Sequence, residues 1–498
     1  MSMARMSALI DSAASALQWL SAVGVQPAGV ASDSRQVRPG DLFLAYPGDL
    51  ADGRHYVADA IARGAAAVLW EAGGGFVWKP DWPVANRSAS DLRAFSGPLA
   101  HTIFGYPSER LSLVAITGTN GKTTISQWIA QTHPRSCAII GTLGAGLPGQ
   151  LDDTGFTTPE ASTLMRYLAQ FANAQAQACA LEASSIGIEE GRLNGVRVDV
   201  AVFTNLTRDH LDYHGSMASY AAAKERLFTW PHLRLAVINL DDRFGPELAA
   251  RSTATKVTGY TQNDSVADRQ GIIRAENVEE TLAGLRFRLC APNGRALVET
   301  GVIGRYNVSN LLAVAAVLID AGLTPKEVAL RFADLAAPAG RLEKIGGHNE
   351  PLVVVDYAHT PDALENALCA LRGVAVARGA GLLCLFGCGG DRDHGKRPLM
   401  GAVATRLADR VVLTSDNPRS EDAQAIIDAI HSAAPGAEVI ADRGEAIRRT
   451  IVTAHPADVV LLAGKGHEPY QEIAGVRRPF SDAAEARAAL AARREVAP

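Results

Sequence analysis

The chain has 498 residues, 47% apolar and 20% charged, and its 48 Lys and Arg against 53 Asp and Glu leave a formal charge of −5. Such apolar content with so little net charge excludes intrinsic disorder, and a chain this long builds its cores without disulfide or metal staples. The slight acidity argues against a protein that mainly grips nucleic acid.

At about 150 residues per domain, the length suggests about three domains. The cysteines, at 137, 179, 290, 369, 384 and 388, are too scattered for a disulfide framework. A reduced, cytoplasmic protein is the simpler reading. Cys384 and Cys388 are close, but no second Cys/His pair follows with zinc-finger spacing, so a metal site there is the weaker alternative. The longest clean apolar run, residues 311–319, is half the roughly 18 residues of a membrane span. The N-terminus lacks a signal-peptide core. No membrane span and no export signal are therefore expected.

Short apolar runs at 113–117, 198–204, 235–239, 352–356, 382–386, 410–414 and 459–463 each precede a helix-like stretch. That alternation marks α/β sheets covered on both faces. The first unit spans 1–105, with a helix at 7–20, a turn at Asp33-Ser34-Arg35, a strand at 41–45 and a helix–strand pair at 56–70. Gly73-Gly74-Gly75 and 79–83 read as irregular, and Gly105-Tyr106-Pro107 as a linker. The second unit spans 106–340. The third, 341–498, opens with a strand after Gly346-Gly347.

In the second unit the strand 113–117 runs into Gly118-Thr119-Asn120-Gly121-Lys122-Thr123-Thr124 and then a helix at 125–131. Strand, Gly-rich turn, Lys, Thr and helix make a phosphate cradle. Backbone N–H groups and the helix N-terminus face the anion, Lys122 reaches the terminal phosphates and Thr123 ligates Mg²⁺. The spacing is shorter than the common P-loop, which needs Gly where Ile116 stands. An ordinary strand–helix turn is the bland alternative.

Glu182 ends the apolar run 176–181, at a sheet's carboxyl edge where open α/β sheets bind ligands. His210, between Asp209 and Asp212, follows the strand 198–204, and Lys224 lies on a helix at 217–227. Carboxylates suit hard Mg²⁺. Taken singly, these charges read equally as a solvated polar loop.

Six segments in order complete the picture: Gly118–Thr124 (GTNGKTT), Thr204–Asp212 (TNLTRDHLD), Tyr220–Phe228 (YAAAKERLF), Gly304–Asn310 (GRYNVSN), Gly340-Arg341-Leu342-Glu343 and Asp356–Pro361 (DYAHTP). Together they resemble the Mur ligases, the ATP-dependent amino-acid ligases of peptidoglycan precursor synthesis, over essentially the whole chain. Asp416-Asn417-Pro418-Arg419, with 387–393 before it and 464–468 after it, resembles the recognition motif of the members that add diaminopimelate.

The resemblance implies an N-terminal α/β UDP-binding domain, a central P-loop-type, mostly parallel ATPase domain and a C-terminal Rossmann-like α/β domain. It implies that the carboxylate of a UDP-N-acetylmuramoyl dipeptide is joined to meso-diaminopimelate through an acyl phosphate and a tetrahedral intermediate, with ATP split to ADP and phosphate. Lys122 and Mg²⁺ neutralise the transferring phosphoryl. Thr123 and Glu182 hold one Mg²⁺; Glu182, His210 and Lys224 serve a second, Lys224 as N6-carboxylysine, the carbamate formed with CO₂. An ammonium would repel a cation, and a carbamate orients it. Asn307 and Asn310 match the adenine side, with helix capping the alternative for Asn310. Arg341 and Asp356 match the phosphates and ribose, and His359 lies near the nucleotide.

By the same resemblance Ser32, Ser34 and the loop Asp49-Leu50-Ala51 take the uridine diphosphate. Thr157, Thr158, Ser184, Glu190 and Arg192 grip the muramoyl peptide. Arg392, Asp416, Asn417, Pro418, Arg419, Gly464 and Glu468 hold diaminopimelate, the arginines suiting its carboxylates. Ile186, Glu190 and Phe156 depart from the residues common in the family and touch the muramoyl contacts. A monomer is expected. The alternatives are another Mur-type ligase, a folylpolyglutamate synthase-like amide ligase, or, outside ligases, a P-loop ATPase or nucleotide-gated binding module.

Overall fold

The computed structural model describes residues 9–48, 51–263, 271–281 and 283–496. The chain divides into two compact units, Met1–Thr258 and Gly259–Pro498. Among the described residues no helix is long and apolar enough to cross a membrane.

The first unit opens with a helix at Ala13–Ala22, capped by Ser12, which begins later than the expected 7–20. Ser12 accepts a bond from the Ser15 amide, and Ser15 reciprocates, so this local box sets the start. A parallel four-stranded sheet follows in the order β1 (Gly29–Ala31), β2 (Asp41–Ala45), β3 (Ala67–Glu71), β4 (Ala85–Ala89). Phe43 and Val68 pack on one face of it, Leu42, Leu44 and Leu69 on the other.

The first unit's larger sheet contains β5 (Ser112–Thr117), β6 (Cys137–Gly141), β7 (Gly144–Leu147), β8 (Gln150–Asp152), β9 (Ala178–Glu182), β10 (Val200–Phe203) and β11 (Leu235–Asn239). Their spatial order is β11-β10-β5-β9-β6-β7-β8. The first five are parallel; β7 and β8 extend the edge as antiparallel hairpins. β9, β10 and β11 are buried throughout, which explains why they read as continuous apolar runs rather than alternating ones. The register Ile116↔Glu182 and Thr117↔Phe203 brings the carboxyl ends of β5, β9 and β10 to one place.

In the second unit β12 (Lys256–Thr261) pairs from Gly259 onward in parallel with β13 (Ile272–Thr281), which continues as an antiparallel meander through β14 (Gly284–Ala291) and β15 (Gly294–Thr300). The meander was not read from the sequence, because its arginines and glutamates mask any apolar run. The last sheet runs in the order β16 (Glu343–Gly346), β17 (Leu352–Asp356), β21 (Val459–Ala463), β18 (Leu382–Phe386), β19 (Arg410–Leu413), β20 (Glu438–Val439), with only β16 antiparallel. β16 precedes Gly347, so the third sheet opens earlier than the sequence suggested. The expected runs at 235–239, 352–356, 382–386 and 459–463 are strands with those bounds. A hairpin, β22 (Tyr470–Ile473) and β23 (Val476–Pro479), closes on the carboxyl edge through a bridge between Arg419 and Ile473.

Candidate active site

Thr117 ends β5, and the chain turns through Gly118 and Gly121 into the helix Lys122–Thr132, which starts three residues before the expected 125. Gly118 has φ +146, and a Cβ there would collide with Thr204 Oγ1, so the turn packs directly on the end of β10. The Thr119 amide donates to the Asn205 carbonyl (2.8 Å) and the Asn120 amide to Asn205 Oδ1 (2.9 Å). Thr204 Oγ1 donates to the Asn120 carbonyl (2.6 Å). Lys122 Nζ folds over the turn, donating to the carbonyls of Gly118 and Thr119, both at 2.9 Å. Thr124 is buried in the helix's first turn.

Glu182 is fully buried at the end of β9. Its Oε2 accepts from Thr123 Oγ1 and Thr142 Oγ1, both at 3.0 Å, and its Oε1 from the Thr142 amide (3.1 Å) and Ser126 Oγ (3.3 Å). Any side chain at Gly141 would strike this carboxylate. Every donor is neutral, and among the described residues no lysine, arginine or histidine pairs with Glu182. A buried carboxylate with neutral partners alone is an uncompensated charge, and this is an observation that fits a cation. Among the described residues no three His, Cys, Asp or Glu side chains converge as a ready metal cage. That suits Mg²⁺, which is commonly held by one or two carboxylates with substrate phosphates completing its shell.

Lys224 is 1% exposed on the helix Met217–Glu225. Its Nζ lies 4.3 Å from the Tyr220 ring centroid, and among the described residues it has no hydrogen-bond or ion-pair partner. Burial, reinforced by Lys122 and opposed by Asp209, holds its pKa well below the usual lysine value. His210 takes a left-handed backbone (φ +52), and its amide donates to Asp209 Oδ1 (2.9 Å). Burial, with Lys122 and Lys224, lowers its pKa against the pull of Asp209. Tyr220 shares a hydrogen bond with Thr119 Oγ1 (3.2 Å), so one ring joins the Lys224 pocket to the phosphate turn.

The residues expected at the muramoyl peptide form one network around Glu182. Thr142 Oγ1 lies 3.0 Å from Thr157 Oγ1. Thr158 Oγ1 donates to the Glu182 carbonyl (2.8 Å) and contacts Ser184 Oγ (2.9 Å). Arg192 donates to the Thr158 carbonyl (2.8 Å) and to Glu190 Oε2 (2.6 Å), which also pairs with Arg93 (3.1 Å). Arg192 stacks over Phe156 at 4.9 Å. Two of the departures, Glu190 and Phe156, are thus the residues that seat Arg192. In the β1–β4 part, Ser32 Oγ lies 2.9 Å from Ser162 Oγ, and Ser34 is buried at the start of a short 3-10 turn capped by Asp33. Ala51 is exposed, its carbonyl accepting from Gly48. Asp49 and Leu50 lie outside the described residues.

In the second unit, Asn307 Nδ2 donates to the Ile303 carbonyl and Asn310 Nδ2 to Asn307 Oδ1, both at 2.8 Å, binding the helix Asn307–Asp320 to the segment before it. Arg341 stacks 4.5 Å over Tyr357, and buried Asp356 accepts from the amides of Leu342 (2.7 Å) and Ala358 (2.8 Å). Burial raises Asp356 despite the Arg341 charge. His359 Nδ1 lies 2.8 Å from the Tyr357 carbonyl.

Adjacent strands β17, β21, β18 and β19 bring the expected amino-acid residues to one edge. Gly464 donates to the Asp356 carbonyl (3.1 Å), and Asp416 Oδ1 accepts from the Asn417 amide (2.7 Å). Asn417 Nδ2 donates to Glu468 Oε2 (2.8 Å). Arg419 (φ +54) donates through its guanidinium to the Gly390 carbonyl (2.6 Å), while the Pro418 carbonyl accepts from Glu421 (3.0 Å). Arg392 stays outside this network; it is exposed, with a 3.5 Å contact to the Asp391 carbonyl. Cys384 is buried in β18, and Cys388 contacts Met400 Sδ (3.6 Å), as core side chains do.

Residues 27–87 match the description "Mur ligase family, catalytic domain", 116–318 "Mur ligase middle domain" and 340–466 "Mur ligase, glutamate ligase domain". A Chromobacterium violaceum protein named UDP-N-acetylmuramoyl-L-alanyl-D-glutamate–2,6-diaminopimelate ligase is 48% identical over 495 residues, covering 98% of each chain. The chain belongs to the Mur ligase family.

A Pseudomonas aeruginosa relative of the same name is 50% identical over 467 residues, covering 92% of this chain and 94% of that one. A solved structure under that name is 38% identical with a TM-score of 0.65, covering 94% of this chain and 95% of the other. A folylpolyglutamate synthase from Mycobacterium tuberculosis shares the fold at 19% identity (TM-score 0.59, 73% of this chain, 90% of that one).

Sequence reasoning missed several groups of these sites. Thr142 and Ser126 bond Glu182, Tyr220 joins Thr119 to Lys224, and Arg93 seats Glu190. Arg443 and Asp482, 39 residues apart, form a fully buried pair behind the second unit's edge. Only Tyr220 carried a signal, its i,i+4 spacing to Lys224.

Proposed function

We propose that this chain is an ATP-dependent ligase that adds meso-2,6-diaminopimelate to UDP-N-acetylmuramoyl-L-alanyl-D-glutamate in peptidoglycan precursor synthesis. The observation that carries the reading is the buried, cation-seeking Glu182 bonded to Thr123 of the phosphate turn, in a chain 48–50% identical over most of its length to ligases of that name.

A carboxylate is a poor electrophile, and transfer of the γ-phosphoryl of ATP gives it a leaving group. Gly118, Thr119, Asn120, Gly121, Lys122, Thr123 and Thr124 cradle the phosphates. The Lys122 ammonium neutralises charge on the transferring group. Thr123 and Glu182 would hold one Mg²⁺, and Glu182, His210 and Lys224 as N6-carboxylysine would serve a second, the ions adding to that neutralisation when bound. The depressed pKa of Lys224 supports the carbamate, because only the neutral amine adds to CO₂. Asn307, Asn310, Arg341 and Asp356 take the rest of ATP.

Ser32, Ser34 and the 49–51 loop bind the uridine diphosphate. Thr157, Thr158, Ser184, Glu190 and Arg192 orient the dipeptide, with Arg192 set by Glu190. Arg392, Asp416, Asn417, Pro418, Arg419, Gly464 and Glu468 present the amine that displaces phosphate. This assignment divides the chain into functional parts at about 105 and 340, a division that the three matched family segments support. The reading also makes the protein a cytoplasmic monomer with no nucleic-acid partner. The test is product analysis by mass spectrometry after incubation with ATP, Mg²⁺, the UDP-muramoyl dipeptide and either diaminopimelate or lysine. A tripeptide product with diaminopimelate supports the reading, and no product with diaminopimelate, whether or not lysine gives one, rejects it.

A further inference from the structure

Lys465 is a buried charge with no part in the reaction as described. It is 0% exposed, and its Nζ donates to Asn417 Oδ1 (2.9 Å) and Glu468 Oε2 (3.1 Å), with the Tyr470 ring centroid at 5.7 Å. Asn417 Oδ1 also accepts from the Glu472 amide (3.0 Å). Two donors on Oδ1 forbid the flipped amide, which would set Nδ2 against an ammonium and an N–H. Nδ2 must therefore face Glu468 Oε2, to which it donates at 2.8 Å.

The consequence falls on Glu468. Its Oε2 accepts from both Lys465 and Asn417, so its carboxylate is fixed in rotation. Among the described residues nothing donates to Oε1, and the side chain is 18% exposed. A rigidly held carboxylate with one unbonded oxygen, on a part-exposed side chain, suits a cationic group. We infer that Lys465 is a positioning residue that locks the Asn417 amide and the Glu468 carboxylate so that Oε1 receives the distal ammonium of the diamino acid. The inference rests on the proposed amino-acid site and adds to it the part that sets selectivity for a second amine.

The test compares meso-diaminopimelate with 2-aminopimelate, which keeps both carboxylates and one amine but lacks the second. In the wild type kcat/KM should favour the diamine. Lys465→Met, which keeps length and removes charge, should raise KM for the diamine about 10- to 100-fold with kcat changed only a few-fold, leave KM for ATP unchanged, and shrink the preference at least 10-fold. Lys465→Gln retains a donor toward Asn417 Oδ1 and should recover part of the preference; it also serves if the methionine variant does not fold. Equal losses with both amino acids, preference intact, would overturn the inference and leave Lys465 a packing residue. Glu468→Gln separates the two readings. If that variant keeps the full preference for the diamine, the assignment of Glu468 itself fails, whatever Lys465 does.

Discussion

The two edges proposed to carry the chemistry treat buried charge differently. At the phosphate turn, Glu182 has only hydroxyl and amide donors, and Lys224 is buried near a second lysine with no anion bonded to it. At the amino-acid edge the buried cations among the described residues are each matched: Lys465 with Glu468, Arg443 with Asp482, Arg397 with Glu421 at 2.8 Å. The first edge is left out of balance, a state that the proposed metal, carbamate and phosphates would correct. The second has its cations paired in advance, which fixes directions rather than supplying driving force. A site that must move charge stores imbalance, and a site that must measure a ligand removes it.

This contrast can be broken by exchanging charge for neutral groups at each edge. Asp482→Asn leaves Arg443 buried without its anion and should cost about 3–5 kcal/mol of stability, read by denaturant unfolding of the full chain. Glu182→Gln should lower ligase turnover about 10²–10³-fold, measured as ADP release, yet leave the melting temperature equal or higher, since an uncompensated charge is gone. Arg419→Ala should reduce the preference for diaminopimelate over lysine by about 1.5–3 kcal/mol, or roughly 10- to 100-fold, in paired kinetic assays. Lys224→Met should abolish any stimulation of turnover by bicarbonate and raise the melting temperature by a few degrees near neutral pH.

The last effect has a defined pH dependence. The folded pKa of Lys224 lies below the ordinary value of 10.5, so between the two the unfolded chain binds more protons. Wild-type stability therefore rises with pH through that window. The advantage of Lys224→Met shrinks as pH rises, and an advantage constant with pH would show that the amine is not neutral in the fold.

The strands that flank both edges were legible because parallel sheets covered on both faces require unbroken apolar runs, as at 235–239 and 459–463. Lys122 and Glu182 were legible as a turn and a strand end. The meander of β13–β15 was not, since arginines and glutamates at 274, 276, 286 and 288 hide its periodicity. Long-range partners were not legible either. Thr142 reaches Glu182 across 40 residues and Arg443 reaches Asp482 across 39, distances that no local pattern encodes. Lys465, inside a motif that was read, was passed over because a glycine-flanked lysine gives no hint of burial.

Thr142 has a last consequence. Its single hydroxyl stands between Glu182 and Thr157, at 3.0 Å from each. That hydroxyl gives its one proton to Glu182 Oε2 and so accepts from Thr157; whatever draws Glu182 Oε2 away frees the proton to turn toward Thr157. On the proposed assignment a cation at Glu182 and an acyl substrate at Thr157 would meet at one hydroxyl, and by thermodynamic reciprocity any effect of one on the other's dissociation constant would be mutual.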